Sequence, residues 1–291
     1  MSVTAEEKNH YILTCSCASA PGQVAAISGF LDQRGCYIME FSQFDDTGRN
    51  WFFARTLFRT DPKKTPSLSQ LRQEFEATAN RFDMEWAIRD TTVQPRVLIM
   101  VSKFDHCLND LLYRRRIGEL RMDVPAVVSN HPDLEPLAQR HDIPFIHLPV
   151  TSATKAAQEA RLLEIIEETK SELVVLARYM QILSDDLCEK LKGRAINIHH
   201  AFLPGFKGAK PYHQAYERGV KLVGATAHYV TADLDEGPII EQVVERVDHT
   251  YGPEHLVAGG RDSENLALAR AIKFHIEHRV FLNGSKTVVF R

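Results

Sequence analysis

Three polar side chains in the second half of the chain have the chemical types that stabilise and attack a carbonyl group. Asn197 and His199 can donate hydrogen bonds to an oxygen that gains negative charge, and Asp235 can take a proton from water. Such a set suits acyl or formyl transfer through a tetrahedral intermediate. The three residues are far apart in sequence, so only a folded sheet could bring them together.

The segments around these residues read as strands that turn polar at their ends. Residues 195–200 begin as a buried strand, and residues 225–230 form a second strand that contains His228 and continues into the polar segment 231–238. In open α/β sheets the ligand crevice lies outside the carboxyl ends of the strands. We therefore expect Asn197, His199 and Asp235 to meet at such an edge.

The rest of the chain divides into two patterns. Residues 1–90 show strand and helix signals in the order βαββαβ, which is the ferredoxin-like unit. Thr65 and Pro66 are predicted as the N-cap and first position of its second helix. Residues 91–291, after a linker at 90–94, alternate short β-branched strands with helices. This alternation predicts a Rossmann-like α/β domain with a mostly parallel sheet covered on both sides.

The composition is that of a globular protein and excludes several classes of function. The 291 residues are 44% hydrophobic and 25% charged, with a net charge of −3, so there is no general basic field for nucleic acid. No apolar run approaches the length of a membrane span, and the polar N-terminus does not resemble a secretory signal. An odd number of cysteines, five, favours a reducing cytoplasm over a disulfide framework.

Several motifs together carry a resemblance to a known family. The segments 197–199 (NIH), 203–208 (LPGFKG) and 234–238 (LDEGP) resemble the signature of folate-dependent formyltransferases and hydrolases. Residues 21–31 resemble the first turn and helix of an ACT domain. The order of an ACT unit followed by a formyl-transfer domain is similar to that of formyltetrahydrofolate deformylases over nearly the whole chain.

The resemblance implies an activity and a set of site residues. It implies hydrolysis of the linear amide of 10-formyltetrahydrofolate to formate and tetrahydrofolate, with Asn197, His199 and Asp235 as catalytic residues. The formate would supply purine synthesis, and the reaction would balance the one-carbon pool. Segment 177–184 is similar to the loop that holds the pterin, which implies substrate binding by the residues Met180, Gln181, Ile182 and Leu183. The folate is the substrate, so no cofactor is expected, and no HExxH or CxxC spacing predicts a metal.

The loop after the first strand of the second domain favours water over an amine as the nucleophile. Relatives that formylate glycinamide ribonucleotide place a glycine-rich turn there, because bare backbone N–H groups must approach a phosphate closely. Here the segment 101–108 contains no glycine, and Phe104 and Asp105 would crowd and repel a phosphate. Two alternatives stay open, namely a formyltransferase with an unidentified amine acceptor and a non-catalytic regulator that binds folate or an amino acid.

Two histidines and the ACT-like turn have two interpretations each. His228 is either a substrate contact or a hydrogen-bonded core histidine, and His106 either lines the pocket or caps a helix. His200, beside His199, is predicted to be structural. In the ACT-like unit, Ser19 and Gly22 mark a site for an amino-acid effector, although Ser19 stands where such domains usually place an acid. The alternative role of this unit is the assembly of a homo-oligomer.

Overall fold

The computed structural model describes residues 9–61, 63–205 and 211–291. The chain divides into two compact units between Val93 and Gln94, within the predicted linker. The last two residues, Phe290 and Arg291, group with the first unit, which the sequence pattern did not predict. The motif residues Phe206, Lys207 and Gly208 lie outside the described residues.

The first unit is an antiparallel sheet with two helices. Its elements are β1 (His10–Ala18), α1 (Gln23–Gln33), β2 (Tyr37–Asp46), β3 (Trp51–Arg59), α2 (Leu68–Asn80) and β4 (Glu85–Asp90). The strands follow the order β2-β3-β1-β4, and every neighbouring pair is antiparallel. This order confirms the predicted ferredoxin-like arrangement.

Local sequence signals explain where the helices of this unit begin and end. Gly22 precedes α1 in the left-handed region, at φ 91°, and Gly35 follows the helix at φ 66°. The predicted cap of α2 was wrong by two residues, because Ser67 and not Thr65 accepts the N–H of Gln70 in a capping box. The apolar stripes of both helices, including Phe30 and Phe75, are buried against the sheet.

The second unit contains a larger sheet, and its strands and helices alternate along most of the chain. Its elements are β5 (Val97–Val101), α3 (His106–Arg116), β6 (Val127–Ser129), α4 (Glu135–Gln139), β7 (Phe145–His147), α5 (Lys155–Glu168), β8 (Leu173–Leu176), α6 (Asp185–Lys190), β9 (Ala195–His199), α7 (Pro211–Arg218), β10 (Leu222–Tyr229), β11 (Ile239–Arg246), α8 (Pro253–Ile276), β12 (Val280–Asn283) and β13 (Lys286–Val289).

The sheet of the second unit is mostly parallel and covered on both faces. Its order is β11-β10-β9-β8-β5-β6-β7, in which the five strands from β9 to β7 run parallel, β10 is antiparallel to β9, and β11 is antiparallel to β10. Helices α3 and α8 pack on one face, and α5 and α6 pack on the other. The predicted α/β class is therefore confirmed. Within the described ranges, no helix combines the length and apolar character of a membrane span.

Candidate active site

A cavity of about 310 Å³ lies in the second unit, beyond the carboxyl ends of β8 and β9. Its wall is formed by β8, β9 and β10 and by the loops that follow β8 and β10. The lining residues are Leu176, Arg178, Tyr179, Met180, Gln181, Ile182, Leu183, Cys188, Asn197, Ile198, His199, His200, His228, Val230, Thr231, Ala232, Leu234 and Asp235. The cavity occupies the position that the topology of an open α/β sheet predicts for a ligand.

Two neighbouring strands present three of the polar side chains to this cavity. Asn197 and His199 are two residues apart on β9, so they share a face of the sheet, while Ile196 and Ile198 enter the core on the other face. His228 lies directly opposite Asn197 on the antiparallel neighbour β10. Cross-strand neighbours of this kind stand close together, which brings the amide and both imidazoles into one cluster.

The loop between β10 and β11 brings Asp235 to the same place. Asp235 adopts the left-handed conformation at φ 58°, which turns the chain back toward β9. Two residues later the backbone of Gly237 packs against β10, where an added Cβ would lie 2.9 Å from the carbonyl carbon of Tyr229. The N–H of Tyr229 donates to the carbonyl of Pro238 at 2.9 Å, which fastens the loop to the strand.

The distances define a connected set of four side chains. Nδ1 of His199 lies 3.2 Å from Oδ2 of Asp235, and Nε2 of His228 lies 3.7 Å from Oδ1 of the same carboxylate. Nδ1 of His228 donates to the carbonyl of Tyr229 at 2.9 Å. In its neutral form His228 can therefore accept, through Nε2, a hydrogen bond from the Asn197 amide at 3.3 Å.

The electrostatics keep Asp235 ionised. Burial alone raises the pKa of this carboxyl, but hydrogen bonds and positive charge from His199 and His228 outweigh burial and hold its pKa well below the usual value. His199 is 5% exposed, and its Nε2 atom has no hydrogen-bond partner among the described residues. A buried polar atom without a partner is unfavourable unless a ligand completes it, so Nε2 is available to a substrate.

The loop at 177–184 is fixed by side chains from three other elements. The backbone N–H of Met180 donates to the Ser102 hydroxyl at 3.0 Å, and that hydroxyl donates to Asn130 at 2.6 Å. Gln158 on α5 donates to the Tyr179 hydroxyl at 2.9 Å. The loop thus has a defined shape while the side chains of Met180 and Ile182 remain exposed at 50% and 62%. Exposed apolar side chains around a cavity are typical of a ligand site.

A second polar cluster adjoins the cavity around Glu264 on α8. The carboxylate lies 2.8 Å from Nε2 of His106 and 3.4 Å from Nε of Arg178, and its side chain is 2% exposed. Burial raises the pKa of Glu264, but the hydrogen bond with His106 and the charge of Arg178 outweigh burial. The net pKa is below its ordinary value, so the carboxylate is ionised. His106, Cys107 and Glu264 are close enough to hold a metal ion. However, the pKa of the Cys107 thiol is raised well above normal by burial, and a guanidinium already pairs with the carboxylate, so the group fits a metal poorly.

Comparisons with known proteins agree with this geometry. The formyl transferase family matches residues 95–272. A formyltetrahydrofolate deformylase of Corynebacterium sp. (strain P-1) is 54% identical over 98% of this chain and 99% of its own length. The crystal structure of a formyltetrahydrofolate deformylase from Burkholderia mallei is 59% identical, with a TM-score of 0.93 over 97% of this chain and 100% of that one. The chain belongs to the formyltetrahydrofolate deformylase family. The crystal structure of a glycinamide ribonucleotide transformylase of Symbiobacterium toebii is less similar, with 30% identity and a TM-score of 0.64 over 69% of this chain and 97% of its own length.

The structure of this deformylase-family chain places most of the predicted site residues around one cavity. Asn197, His199 and Asp235 line it, as do His228 and the predicted binding residues Met180, Gln181, Ile182 and Leu183. His106 does not line it: the first residue of α3 is His106, whose ring pairs with Glu264 and borders a separate cavity between α3 and α8. Its predicted alternative as a helix cap also differs from the structure, in which Asp105 occupies the cap position. The roles of all these residues stay predictions.

Two residues of the deformylase site were absent from the sequence-based set. Arg178 lines the cavity within a segment that the sequence had singled out, but its left-handed backbone at φ 65° gives no signal in a linear pattern. Glu264 lies in the middle of α8, where a lone acid is usually solvated. His200, predicted to be structural, also lines the cavity, and burial with the charges of Arg178 and His199 lowers its pKa to about 4.

Proposed function

We propose that this protein hydrolyses 10-formyltetrahydrofolate to formate and tetrahydrofolate. The observation that carries the proposal is the buried Nε2 of His199, which has no hydrogen-bond partner in the described part of the chain and lies in a cavity that also contains Asn197 and the ionised Asp235. Membership of the family supports it, since the relatives bear the name of this reaction. A further clause of the proposal is that the released formate supplies purine synthesis and balances the one-carbon pool.

The geometry divides the reaction between three groups. As an imidazolium, with a proton on both ring nitrogens, His199 donates a hydrogen bond from Nε2 to the formyl oxygen as this oxygen becomes an oxyanion. Asp235 stabilises the imidazolium through Nδ1, at 3.2 Å. The Asn197 amide donates to the same oxygen once the substrate displaces its 3.3 Å contact with His228. Two aligned donors lower the energy of the tetrahedral intermediate more than that of the planar amide.

Asp235 also accepts the proton of the attacking water and passes it on. Its second oxygen, Oδ1, lies 3.7 Å from Nε2 of His228 and can accept a hydrogen bond from water. Because the pKa of Asp235 is low, the carboxyl gives up the proton readily after the attack. N10 receives this proton as the C–N10 bond breaks, which leaves formate and tetrahydrofolate with all atoms accounted for.

Water, rather than an amine, is the nucleophile that the first loop of the second unit favours. The segment after β5 contains Lys103, Phe104 and Asp105, and it has no glycine that would let the backbone approach a phosphate. A formyltransferase with an amine acceptor is the alternative, and a non-catalytic regulator is the third. No cofactor takes part in the proposed steps.

One assay separates these functions. The purified protein is incubated with 10-formyltetrahydrofolate without any amine, and formate is measured. We expect formate release in the wild type, and about 10²–10⁴ times slower release in Asp235→Asn, because a positioned acid–base group contributes that factor. Turnover only in the presence of an amine would indicate the transferase, and binding without turnover would indicate the regulator.

We propose further that the first unit binds an amino acid that regulates the enzyme. A cavity of about 650 Å³ is bordered by Ser19, Gly22 and the start of α1 on one side and by Asp45 on the other. Asp45 accepts a hydrogen bond from Ser19, so a carboxylate reaches this site from β2 although position 19 itself is not an acid. The ammonium group of an amino acid would pair with Asp45, and its carboxylate would meet the free N–H groups of α1.

The regulatory proposal is tested by comparing two carboxylates of the first unit. A set of amino acids is screened for a change in the rate of formate release, and the active one is titrated against Asp45→Asn and against Asp32→Asn, an exposed residue on α1 outside the cavity. We expect Asp45→Asn alone to weaken the effect.

A homo-oligomer remains part of the proposal, supported by the exposed Tyr37 and Met39 on the edge strand β2. Five free thiols support a reducing cytoplasm.

A further inference from the structure

A cluster of four side chains, which we call the Arg178 cluster, consists of Phe104, His106, Arg178 and Glu264 and reaches the cavity through Arg178. Arg178 is the one arginine or lysine among the described residues that line the cavity. Its guanidinium carbon lies 4.9 Å from the centre of the Phe104 ring, and its Nε lies 3.4 Å from the Glu264 carboxylate. The side chain is 10% exposed, so it is held between the two.

Glu264 attracts the guanidinium through charge, because the two groups are buried and 3.4 Å apart, although Nε of Arg178 makes no hydrogen bond among the described residues. Besides Arg178, the carboxylate contacts His106 at 2.8 Å and accepts a hydrogen bond from the Tyr212 hydroxyl at 3.3 Å. A carboxylate that is 2% exposed is strongly unfavourable without a paired cation, so its ionisation and the position of Arg178 depend on each other. Phe104 adds a cation–π contact on the other side of the guanidinium.

The backbone conformation of Arg178 favours a functional role for its side chain. Its φ of 65° lies in the left-handed region, where glycine is unstrained and a long side chain is not. The neighbouring loop is fastened by the hydrogen bond from Met180 to Ser102, so the strain is maintained by the surrounding structure. Strained residues of this kind concentrate at functional sites.

The lining of the cavity consists of three parts, of which Arg178 is one. Strands β9 and β10 supply the polar groups at the reaction centre, and the loops at 177–184 and 231–235 carry the exposed apolar side chains Met180, Ile182 and Leu234. These three side chains are exposed at 50%, 62% and 58%, so they offer apolar surface on which the proposed folate substrate could pack. Arg178 is the one long cationic side chain on the remaining part of the cavity lining among the described residues.

We propose that Arg178, fixed by Glu264 and Phe104, occupies the space through which an amine would reach the formyl carbon and so restricts the nucleophile to water. This inference rests on the proposed hydrolysis. In the excluded reaction the amine nitrogen bonds to the formyl carbon, the C–N10 bond breaks, and the amine proton passes to N10. Arg178 is thus a specificity-determining residue, with Glu264 and His106 as positioning residues.

The test measures how the formyl group divides between water and an amine. Wild type, Arg178→Gly and Phe104→Ala are incubated with 10-formyltetrahydrofolate and an excess of glycinamide, and formate and N-formylglycinamide are quantified in the same samples. We expect the ratio of N-formylglycinamide to formate to rise in both variants by about tenfold or more, the smallest discrimination that a single steric contact usually produces. Glycine suits the left-handed backbone at position 178, so Arg178→Gly changes the side chain without new strain.

Two control variants separate the side chain from the backbone. Arg178→Lys keeps a long cation beside Glu264, and we expect it to keep the wild-type product ratio. Lys170→Gly makes the same change to glycine at another left-handed position, at φ 51°, on an exposed residue outside the cavity. We expect Lys170→Gly to match the wild type in both ratio and rate.

The outcomes distinguish this inference from the proposed function. Formate release from Arg178→Gly and Phe104→Ala with an unchanged product ratio would overturn the role of the cluster while leaving hydrolysis intact. A failure of the wild type to release formate would instead overturn the proposed function. If Arg178→Gly does not fold, Phe104→Ala decides, because Phe104 is 41% exposed and lies outside the core.

Discussion

Gly237 controls where Asp235 stands, and its replacement by alanine tests this control. An added Cβ would lie 2.9 Å from the carbonyl carbon of Tyr229, 3.1 Å from Nδ1 of His228, and closer still to the Tyr229 carbonyl oxygen. These neighbours are backbone and an anchored ring, so the loop must move away by roughly 1 Å or more. A misplacement of about 1 Å typically slows catalysis by about 10²-fold. We therefore expect kcat to fall by about a hundredfold, which corresponds to roughly 2.7 kcal/mol of activation free energy.

The assay for Gly237→Ala combines formate release under saturating substrate with thermal unfolding. Overpacking a tight site costs about 1–3 kcal/mol of stability, so the protein should still fold at 25 °C. Gly29→Ala is the control, because an added Cβ there meets no heavy atom within 4 Å in the interior of α1. We expect this control to keep the wild-type kcat and to gain about 0.5–1 kcal/mol of stability. A wild-type kcat in Gly237→Ala would refute the argument that the loop holds Asp235 in place.

Four further predictions concern individual side chains of the site. Asn197→Ala should lower kcat by about 10²–10³ with little change in KM, because it removes about 2.7–4 kcal/mol of oxyanion stabilisation; steady-state kinetics check this. Asp235→Asn should lose stability relative to wild type at pH 7, and because the folded pKa of Asp235 is lowered, this difference should shrink as the pH falls below about 4, the ordinary pKa of an aspartate; urea unfolding at pH 7 and pH 3 measures it. His200 should titrate at about 4 in an NMR experiment, and its pKa should rise in Arg178→Gly because a nearby positive charge is removed; an unchanged midpoint would contradict the arrangement. Ser102→Ala leaves the Met180 N–H and the Asn130 side chain without their partner, which costs about 1–3 kcal/mol; we expect KM to rise by about tenfold with a smaller change in kcat.

Local patterns predicted the elements of both units well. The order βαββαβ of the first unit and the alternation of strands and helices in the second are visible in the sequence because helix and strand periods differ. The cap of α2 was misplaced because Thr65-Pro66 and Ser67 offer competing start signals, and the capping box with Gln70 decides between them. The order of elements was sufficient to indicate the mostly parallel sheet.

The site was predictable where a residue type and its place after a strand coincide. Asn197 and His199 stand at the end of β9, and this position alone indicated the cavity that they line. One of the two interpretations of His106 placed it in the same cavity because it follows β5. Its ring instead pairs with Glu264 on α8, and such a contact depends on the packing of elements that are distant in sequence. Arg178 and Glu264 were missed because their meeting joins a loop to a distant helix.

The sequence by itself determined the periodicities, the caps and the polar residues that end the strands, since these are short-range properties of neighbouring side chains. It thereby determined the two units and the residues Asn197, His199 and Asp235 as a candidate set. Only the tertiary structure decided which charges are buried together, because ion pairing and desolvation depend on atoms that are distant along the chain. That is why the low pKa of Asp235 and the contact of Arg178 with Glu264 became visible only in the folded protein.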